Sequence, residues 1–572
     1  MEKEKRQTKY ILKTIWSFVQ CSRKTFVILS MGVIIASLTT FFRPQIVSRL
    51  TDEGLAARRF DVVLLWCGML TLVSMLEYGN ELFQTKVFVR ISNQFAQNLF
   101  VKALGKILRA PYSYTQSRAS TELFNTINND ISRISLLLNR NSLMLVRLGF
   151  QIIGGIIGLI MLEWRVALLV FLIVPLKHFV VLRMSSKKTV LTERYIQEWQ
   201  KFSGWFGEQT NGVIEIKLWN LYGKKYKEFL EEYKNVPKLN EQLEICDGKE
   251  NIMSQGISLL LEILVYICCG YLLCKNQMSI GNVLAFLSYV MYVSAPVDAF
   301  TSIPYIWAQI KPSAERYVEI LEWPEEPFGF MENSSVYQSE LIFQDVTFAY
   351  TDKQNILENV SFKVKKGEKI AIVGGNGEGK TTLIYLMLGI ITPVSGDIYM
   401  DGKSIREIGL KKWREHFALI GQKPYLFQGT IKSNIDLYDN MTMEQIESFA
   451  QKCGLDMKME SRAEGYAYRI TDNGTNLSGG EKQKIAFLRA IMKNAEIIIL
   501  DEALSNCDEK SRKIIRQIVL DETFDKTVIL VSHYKEDLDG VQRVYEIKDG
   551  KLWVNSIHYS GQEHKRIMYA GG

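Results

Sequence analysis

A glycine-rich loop between an apolar run and a helical pattern is the segment best suited to chemistry. The run KIAIV ends at Val373, and the loop GGNGEGKT follows with the spacing G-x-x-x-x-G-K-T. Such glycines let backbone N–H groups point at phosphate oxygens, and the start of the next helix adds partial positive charge. Lys380 is predicted to neutralise the β and γ phosphates of a nucleotide, and Thr381 to offer its hydroxyl to Mg²⁺. The residues predicted to bind the nucleotide here are Gly374, Gly375, Asn376, Gly377, Glu378, Gly379, Lys380, Thr381 and Thr382.

Two acidic residues follow a second apolar run, IIIL, at Asp501 and Glu502. A carboxylate at the tip of a buried strand is unfavourable unless it holds a metal or a hydrogen-bond network. Asp501 fits a second Mg²⁺-directed position, and Glu502 fits the group that polarises the attacking water. The plainer alternative for both is a charged loop after a strand.

The elements that must position these residues are short strands and amphipathic helices. Nearly all-apolar runs predict central strands of a covered parallel sheet. The predicted strands are Leu341–Phe343, Lys369–Val373, Ile497–Leu500 and Thr527–Val531. A proline- and glycine-containing stretch before them, WPEEPFGFMENSSVYQ, marks a boundary. We therefore predict a linker at 324–338 and an α/β P-loop NTPase domain at 339–572.

The first part of the chain, 1–323, has a different pattern. About 20 mostly apolar residues cross a bilayer as a helix, and six runs of that kind are predicted to do so: 26–48, 62–82, 142–163, 165–183, 254–274 and 281–303. Spans three and four meet at a tight turn at Glu163–Trp164–Arg165, and spans five and six at a short turn. The longer connections keep helical periodicity, which predicts hairpins that extend into the cytoplasm. The predicted class is an all-α six-helix transmembrane domain followed by the α/β domain.

The order of phosphate loop, LSGGE at 477–481 and Asp501-Glu502 resembles the ATP-binding cassette (ABC) superfamily. The six spans with two long hairpins resemble its exporter-type half-transporters. Ser478, a plausible helix N-cap, and Gly479 and Gly480 are implied to act on ATP held by another subunit. The resemblance therefore implies ATP and Mg²⁺ as cofactors and a second transporter half as partner.

Further roles follow from the resemblance. Tyr350 matches the aromatic residue that stacks on adenine. Gln422 matches the glutamine that touches Mg²⁺ and senses the transmembrane domain, and His533 matches the histidine at the γ-phosphate. These assignments make Glu502, His533 and Gln422 the catalytic group, and Thr381, Gln422 and Asp501 the metal ligands. Asp472, Asn473 and Gly474 resemble the stretch that meets the neighbouring subunit's hairpins, and segments around Pro111–Leu123 and Asn211–Trp219 are candidate coupling helices.

Two departures from the family pattern are visible. The turn Ser505-Asn506-Cys507-Asp508 replaces the usual Ser-Ala-Leu-Asp, which could alter communication between two ATP sites. Glu378 places an acid inside the phosphate loop, and we expect its side chain to point into solvent. Neither change removes a catalytic group.

The membrane half carries the information on cargo. Ionisable residues within or close to spans are functional candidates, and those noted are Glu77, Arg147, Glu262 and Asp298. The net charge of +7 reflects Lys and Arg beside the spans and predicts no nucleic-acid partner. We predict export of a peptide, a lipid-like or another amphiphilic substrate from a bacterial cytoplasmic membrane, with both termini and the ATP-binding domain in the cytoplasm.

Several alternatives stay open at this stage. Import of a metal-chelate ligand, one half of a heterodimer, and a regulator or channel with little turnover all share the same motifs. The presence of Glu502 and His533 argues against the last of these. The six spans exclude a soluble ATPase with a similar cassette.

Overall fold

A computed structural model describes most of the chain and divides it into two compact units. The described residues are 23–116, 120–138, 140–301, 303–327, 337–350, 354–453, 455, 464–503, 509–521, 525–532, 538, 540–555 and 566–567. The first unit comprises Met1–Leu108 and Arg118–Trp323, and the second comprises Arg109–Ser117 and Pro324–Gly572. Each unit is described by itself below.

The first unit is entirely helical in its described residues. The helices of this part of the chain are α1 (Arg23–Arg49), α2 (Phe60–Arg109), α3 (Tyr112–Gln116), α4 (Ser120–Ile134), α5 (Arg140–Asn211), α6 (Val213–Leu218), α7 (Tyr222–Tyr233), α8 (Asn235–Cys274), α9 (Ile280–Thr301) and α10 (Ile303–Leu321). A π-helical turn, Leu50–Ala56, extends α1, and a 3₁₀ turn, Ser135–Leu138, follows α4. Helix α3 itself belongs to the second unit.

Five helices of the described chain are long and apolar enough to cross a membrane. Four of them each correspond to one predicted span, although the last predicted span, 281–303, runs past the end of α9 at Thr301. The fifth, α5, contains two predicted spans on either side of Glu163, whose φ of −160° and ψ of 98° interrupt the helix. The break lies where the sequence predicted a turn. Helix α2 has 50 residues, about 75 Å at 1.5 Å per residue, so it extends far beyond a hydrocarbon core.

Close packing of α5 against α9 forms the apolar core of the first unit. Gly158 lies against the buried ring of Tyr289, and a Cβ added at Gly158 would come within 2.5 Å of that ring. Gly155 likewise leaves room for Val293. The Tyr289 hydroxyl donates a hydrogen bond to the backbone oxygen of Phe41 on α1, at 2.7 Å. Small residues therefore let three helices approach closely, which is how membrane-spanning helices commonly pack.

The second unit contains two main sheets. Its strands are β1 (Glu340–Phe348), β2 (Leu357–Lys365), β3 (Lys369–Gly374), β4 (Ser395–Met400), β5 (Lys403–Ser404), β6 (Phe417–Ile420), β7 (Gly429–Thr430), β8 (Arg469–Ile470), β9 (Ile497–Asp501), β10 (Thr527–Val531), β11 (Arg543–Lys548), β12 (Lys551–Asn555) and β13 (Arg566–Ile567). The larger sheet has the order β13-β12-β11-β3-β10-β9-β6, with β11, β3, β10, β9 and β6 parallel. An antiparallel sheet has the order β2-β1-β4-β5. The four predicted strands are confirmed: β10 has the predicted bounds, β3 and β9 are one residue longer, and β1 has nine residues where three were predicted.

Helices complete the second unit. They are α11 (Lys380–Met387), α12 (Ile405–Ile408), α13 (Leu410–Glu415), α14 (Ile431–Ile435), α15 (Met443–Lys452), α16 (Gly479–Met492) and α17 (Glu509–Leu520). One buried cluster joins α11 to residues from both sheets, and a second includes α16 and α17. Because both faces are covered, β3, β9 and β10 are almost wholly buried. The predicted fold class, a helical transmembrane domain followed by an α/β domain, is confirmed.

Candidate functional site

The order of the parallel strands brings the predicted catalytic segments to one edge of the sheet. Strand β10 lies between β3 and β9, and Val531 is in register with both Ile372 and Asp501. The phosphate loop follows β3, and Asp501 ends β9. Ligands of open α/β sheets bind at the carboxyl ends of such strands. The sequence motifs therefore converge although they are more than 100 residues apart.

Two glycines of the phosphate loop have specific steric reasons to be glycine. A Cβ at Gly374 would lie 2.6 Å from the backbone oxygen of Ile547 on the neighbouring strand β11. Gly379 has a φ of +100° and precedes the first residue of α11. Side chains are disfavoured at such a φ. The loop can therefore turn sharply from β3 into α11.

The ammonium of Lys380 lies inside the loop. The residue is buried, and its Nζ donates to the backbone oxygens of Gly374 and Gly375, both at 2.9 Å. Burial lowers the pKa of the Lys380 ammonium. The negative charges of Glu502, Asp501 and Glu378 act in the opposite direction and raise that pKa. The lysine ammonium thus lies within the loop whose backbone is predicted to bind phosphate.

Glu378 makes a contact outside the phosphate loop. Its side chain is only half-exposed, and its Oε2 accepts a hydrogen bond from the backbone N–H of Asp549 at 2.8 Å. Asp549 lies in the turn between β11 and β12. The carboxylate was expected to point into solvent; it is partly exposed and also accepts this hydrogen bond from the turn. The acid therefore ties the phosphate loop to the adjacent strand turn.

Asp501, Glu502 and Gln422 form a group at the ends of β9 and β6. The Nε2 of Gln422 donates to the Oε2 of Glu502 at 2.8 Å. Glu502 has a positive φ of 48°, and its backbone N–H donates to the oxygen of Val531 at 2.9 Å. Burial raises the pKa of the Asp501 carboxyl, and the negative charge of Glu502 adds to this. The structure thus brings together three of the residues predicted to act on the nucleotide and its metal.

The residues predicted to bind the metal offer oxygen ligands that suit a magnesium ion. Mg²⁺ prefers hard oxygen ligands and is bound by few protein groups together with substrate phosphates. Thr381, Gln422 and Asp501 supply a hydroxyl, an amide and a carboxylate oxygen. Partial burial of the Asp501 carboxylate and the negative charge of Glu502 raise its pKa, which is a penalty on the charged form. A cation at this position would remove that penalty.

The signature segment begins helix α16. The Ser478 side chain accepts from the Glu481 N–H at 3.3 Å, and the Glu481 carboxylate accepts from the Ser478 N–H at 2.6 Å, which forms a capping box. Ser478 and Gly479 are exposed, and Gly480 is half-exposed. The predicted N-cap at Ser478 is confirmed.

Other predicted nucleotide residues lie as follows. Tyr350 is exposed, its hydroxyl is 3.4 Å from Thr382 Oγ1, and its ring packs edge-on against Phe348 at 4.9 Å. Asp472 accepts from Gln428 at 2.9 Å. Asn473 has a φ of 50°. His533 and the Ser505-Asn506-Cys507-Asp508 turn lie outside the described residues, so their predicted roles stay predictions.

Part of one predicted coupling segment belongs to the second unit. Arg109–Ser117 is included there, and the rings of Tyr112 and Tyr385 meet edge-on at 5.7 Å. Tyr385 lies on α11, the helix that begins at Lys380. Burial raises the pKa of the Tyr385 hydroxyl, and Tyr112 contributes to the shift. Tyr112 of this segment therefore contacts the helix that directly follows the phosphate loop. The segment around Asn211–Trp219 stays a prediction.

A polar cavity of about 340 Å³ lies within the membrane-spanning helices of the first unit. The Arg147 guanidinium is 2.6 Å from Glu77 and 3.9 Å from Glu81. Arg43 reaches Glu77 at 3.6 Å. Two of the predicted ionisable candidates, Glu77 and Arg147, therefore meet, and the cavity wall carries two cations and two carboxylates.

Gln84 adds an unsatisfied group to the cavity wall. Its side chain is 3% exposed, and within the described residues its Nε2 has no hydrogen-bond partner. A buried amide without a partner is unfavourable and is rare in native proteins. The cavity wall therefore contains an amide that lacks a partner in the described residues, as well as four charges.

The other two ionisable candidates are elsewhere. Glu262 lines a separate cavity of about 320 Å³, and the Asp298 side chain lies outside the described set. Sequence reasoning missed Arg43, Glu81 and Gln84. Arg43 falls inside the first predicted span, so the rule for charged residues in spans would have found it. No sequence signal distinguishes Gln84, because its importance depends on packing.

Family comparisons agree with this geometry. Residues 26–297 match the model for the ABC transporter transmembrane region, and residues 357–505 match the model for the ABC transporter. The two matches are consecutive in one chain, and the second covers the phosphate loop, the signature segment and Asp501-Glu502.

Similar curated proteins align along nearly the whole chain. An ATP-dependent lipid A-core flippase of Ralstonia nicotianae is 23% identical over 96% of this chain and 93% of its own length. A protein of the same name from Thiobacillus denitrificans is 26% identical, with 96% of each chain covered. ABC transporter B family member 1 of Dictyostelium discoideum is 25% identical over 92% of this chain and 58% of its own length.

The fused arrangement is what identifies the chain. A transmembrane region of the ABC type precedes an ATP-binding region of the ABC type, and the second contains the phosphate loop described above. The candidate spans show that the first region is long and apolar enough to cross a membrane. The chain therefore belongs to the ABC transporter family, as an exporter-type half-transporter whose ATPase domain drives transport across a membrane.

Proposed function

We propose that this transporter exports an amphiphile whose headgroup carries both an anionic group and hydrogen-bond donors. The observation that carries the proposal is the polar cavity among the membrane-spanning helices. Ionisable side chains at membrane depth are unfavourable and usually serve a substrate or ion pathway. The names of two relatives, which are flippases, support a lipid-like cargo.

The charges of the cavity define what it would bind. Arg147 is engaged by two carboxylates, whereas Arg43 makes one longer contact and its side chain is 43% exposed. Arg43 is therefore the cation best placed to receive an anionic group of the cargo. The carboxylates and Gln84 would receive or donate the remaining headgroup hydrogen bonds. A cargo without charge would not offer Arg43 an anionic partner in addition to Glu77.

In the ATPase domain, we propose ATP as the nucleotide and Mg²⁺ as the metal. Lys380 and the loop N–H groups would bind the β and γ phosphates, and Tyr350 would stack on the base. Thr381, Gln422 and Asp501 would hold the metal. The metal supplies positive charge that offsets the charge of the phosphates. Glu502 would orient the attacking water, together with His533, because phosphoryl transfer depends on positioning and electrostatics.

A dimer follows from the exposed signature segment. ABC half-transporters generally dimerise, and we propose that two copies of this chain do so. Ser478, Gly479 and Gly480 of one copy would then contact ATP held by the phosphate loop of the other. A heterodimer with a different half is the alternative, and the set of catalytic residues in this chain permits either.

The proposed placement is the cytoplasmic membrane of a bacterium. We propose a transmembrane domain at 1–323, a linker at 324–338 and an ATP-binding domain at 339–572, with the latter domain and both termini in the cytoplasm, where ATP is available. Uptake of a metal chelate, which the motifs alone leave open, is not favoured, since two relatives are named as flippases.

A flipping assay tests the proposal. The chain is reconstituted in vesicles with its ATPase domain outside, and acyl-labelled fluorescent phosphatidylethanolamine, whose headgroup carries a phosphate and an ammonium, is the probe. We expect ATP to move the label to the inner leaflet, where dithionite cannot quench it. Glu502→Gln is the matched control without hydrolysis. Absence of ATP-dependent protection, or equal protection after Arg43→Gln with Arg147→Gln, would refute the proposed cargo site.

A further inference from the structure

A second cleft in the first unit has a different charge from the cargo cavity. It lies between α5 and α8 and has a volume of about 580 Å³, within the range of small-molecule sites. Three of its ten lining residues are the cations Arg183, Lys187 and Lys249, and none is acidic. It shares no lining residue with the polar cavity.

The cations are placed at the level of lipid headgroups. Arg183 lies 20 residues after the break at Glu163 and Lys187 lies 24 residues after it, which is about 30 and 36 Å along a helix. Lys249 lies 25 residues before Cys274, the end of α8, or about 37 Å. A hydrocarbon core is about 30 Å thick. The three cations therefore lie at or just beyond one edge of that core.

Apolar side chains also line the cleft, and two of them, Phe179 and Val180, lie on the hydrocarbon side of the cations. Phe179 is 66% exposed, whereas Ile245 lies one helical turn beyond Lys249, on the side away from the hydrocarbon. Phe179 lies one helical turn closer to the membrane centre than Arg183. The cleft therefore presents apolar surface at the depth of acyl chains and positive charge at the depth of headgroups.

The ordinary excess of cations beside membrane spans does not explain this grouping. Lys188, next to Lys187, is paired with Asp247 and lies 4.0 Å from Glu250. Within the described part of the chain, Arg183, Lys187 and Lys249 have no ion-pair partner. Asp247 and Glu250 thus neutralise Lys188, which does not line the cleft. In the described residues, the three cations that do line it have no compensating negative charge.

We propose that this cleft binds an anionic phospholipid of the inner leaflet through its phosphate. Charge complementarity selects the headgroup, since basic pockets between membrane helices on the cytoplasmic side take acidic lipids. This binding site goes beyond the proposed cargo site and does not depend on the identity of the cargo.

Native mass spectrometry of the full-length protein tests the proposal. Dioleoylphosphatidylglycerol and dioleoylphosphatidylcholine are titrated separately, and bound lipids are counted. The cleft variant carries Arg183→Gln, Lys187→Gln and Lys249→Gln. A matched control carries Lys224→Gln, Lys227→Gln and Lys238→Gln, exposed lysines of the same region that do not line the cleft.

We expect the wild-type protein to prefer phosphatidylglycerol. The cleft variant should bind it on the order of 100-fold more weakly, at about tenfold or less per cation, while the control keeps its affinity. A charge-preserving variant, with Arg183→Lys, Lys187→Arg and Lys249→Arg, should retain binding. That result separates loss of charge from loss of folding.

Four results would overturn the proposal. The first is equal affinity for the two lipids, which would make the cleft a merely apolar groove. The second is equal loss in the cleft and control variants, which would indicate a general charge effect. The third is displacement of the lipid by excess inorganic phosphate, which would indicate a soluble anion site. The fourth is a changed oligomeric state of the cleft variant with unchanged lipid binding, which would make the cleft a surface between copies.

Discussion

Eight consecutive residues, Gly374 to Thr381, form the phosphate loop, whereas the polar cavity takes its charged side chains from three separate helices. Arg43 is on α1, Glu77 and Glu81 are on α2, and Arg147 is on α5. The loop recognises phosphate largely through backbone N–H groups and one lysine. The cavity, in contrast, is proposed to recognise its cargo through side chains alone.

The difference teaches which part of a transporter a sequence specifies locally. A loop that binds phosphate through its backbone needs glycines at fixed spacing, so a short sequence motif is enough to indicate its ligand. A cavity between helices needs only that a few side chains meet after folding, and these can change without changing the fold. The phosphate loop therefore indicates the energy source, whereas the residues of the polar cavity can change and so can determine which cargo is bound.

The largest expected effect is that of a substitution in the phosphate loop. Lys380→Ala should weaken ATP binding by about 10- to 100-fold, because a hydrogen bond to a charged group contributes about 1.5–3 kcal/mol. Equilibrium titration with a fluorescent ATP analogue measures this. Lys366→Ala, which removes an exposed lysine of the same unit, is the control. Unchanged ATP affinity in Lys380→Ala would contradict the phosphate-binding role.

The next effect concerns the cavity. Arg147→Gln removes the closest partner of Glu77 and should reduce cargo-stimulated ATPase about tenfold, the loss of about one charge-assisted hydrogen bond. Basal ATPase should stay unchanged. The assay compares turnover with and without phosphatidylethanolamine probe, and the exposed Arg165→Gln is the matched control. Equal loss of basal and stimulated turnover would remove the distinction between the two regions.

Much of this division could be predicted from the sequence. The uninterrupted apolar runs of β3, β9 and β10 predicted central strands, and the break at Glu163 lies where a turn between two spans was expected. The phosphate loop and Asp501-Glu502 were found because each motif is contiguous. Their convergence required only the rule that parallel strands end at one edge.

Contacts between distant side chains could not be predicted. Glu378 meets the N–H of Asp549, 171 positions later, and Arg147 meets Glu77 across 70 positions. Each pair depends on the distance between two elements after packing. The unsatisfied amide of Gln84 is of the same kind. The sequence therefore indicates an energy source in detail and a cargo site only as scattered ionisable residues.

A smaller effect sharpens the account of the signature segment. Ser478→Ala should lower the stability of the second unit by about 1 kcal/mol, through loss of the N-cap, and its melting temperature by about 2–4 °C. ATP binding by the chain should persist, since Ser478 is proposed to act on the partner's nucleotide. Calorimetry and the ATP titration measure the two quantities. Ser478→Asp keeps the cap, and an equal loss of stability in that variant would contradict the capping role.

The smallest effect concerns Glu378. Glu378→Gln keeps an acceptor for the Asp549 N–H but removes a negative charge beside the phosphates. ATP affinity should rise about threefold, since a partly exposed charge interaction contributes about 0.2–1 kcal/mol. The increase should shrink at high salt. Weaker ATP binding in this variant would show that the carboxylate itself supports the loop.

The most direct test of the central claim is the ATPase activity of this chain, purified alone in lipid nanodiscs, beside its Glu502→Gln variant. We expect turnover by the wild-type chain and a loss of at least about 100-fold in the variant, with ATP binding retained, because positioning of the attacking water is removed. That outcome would show that two copies of one chain suffice. Undiminished turnover in the variant, or a folded wild-type chain that binds ATP without hydrolysing it, would contradict the account.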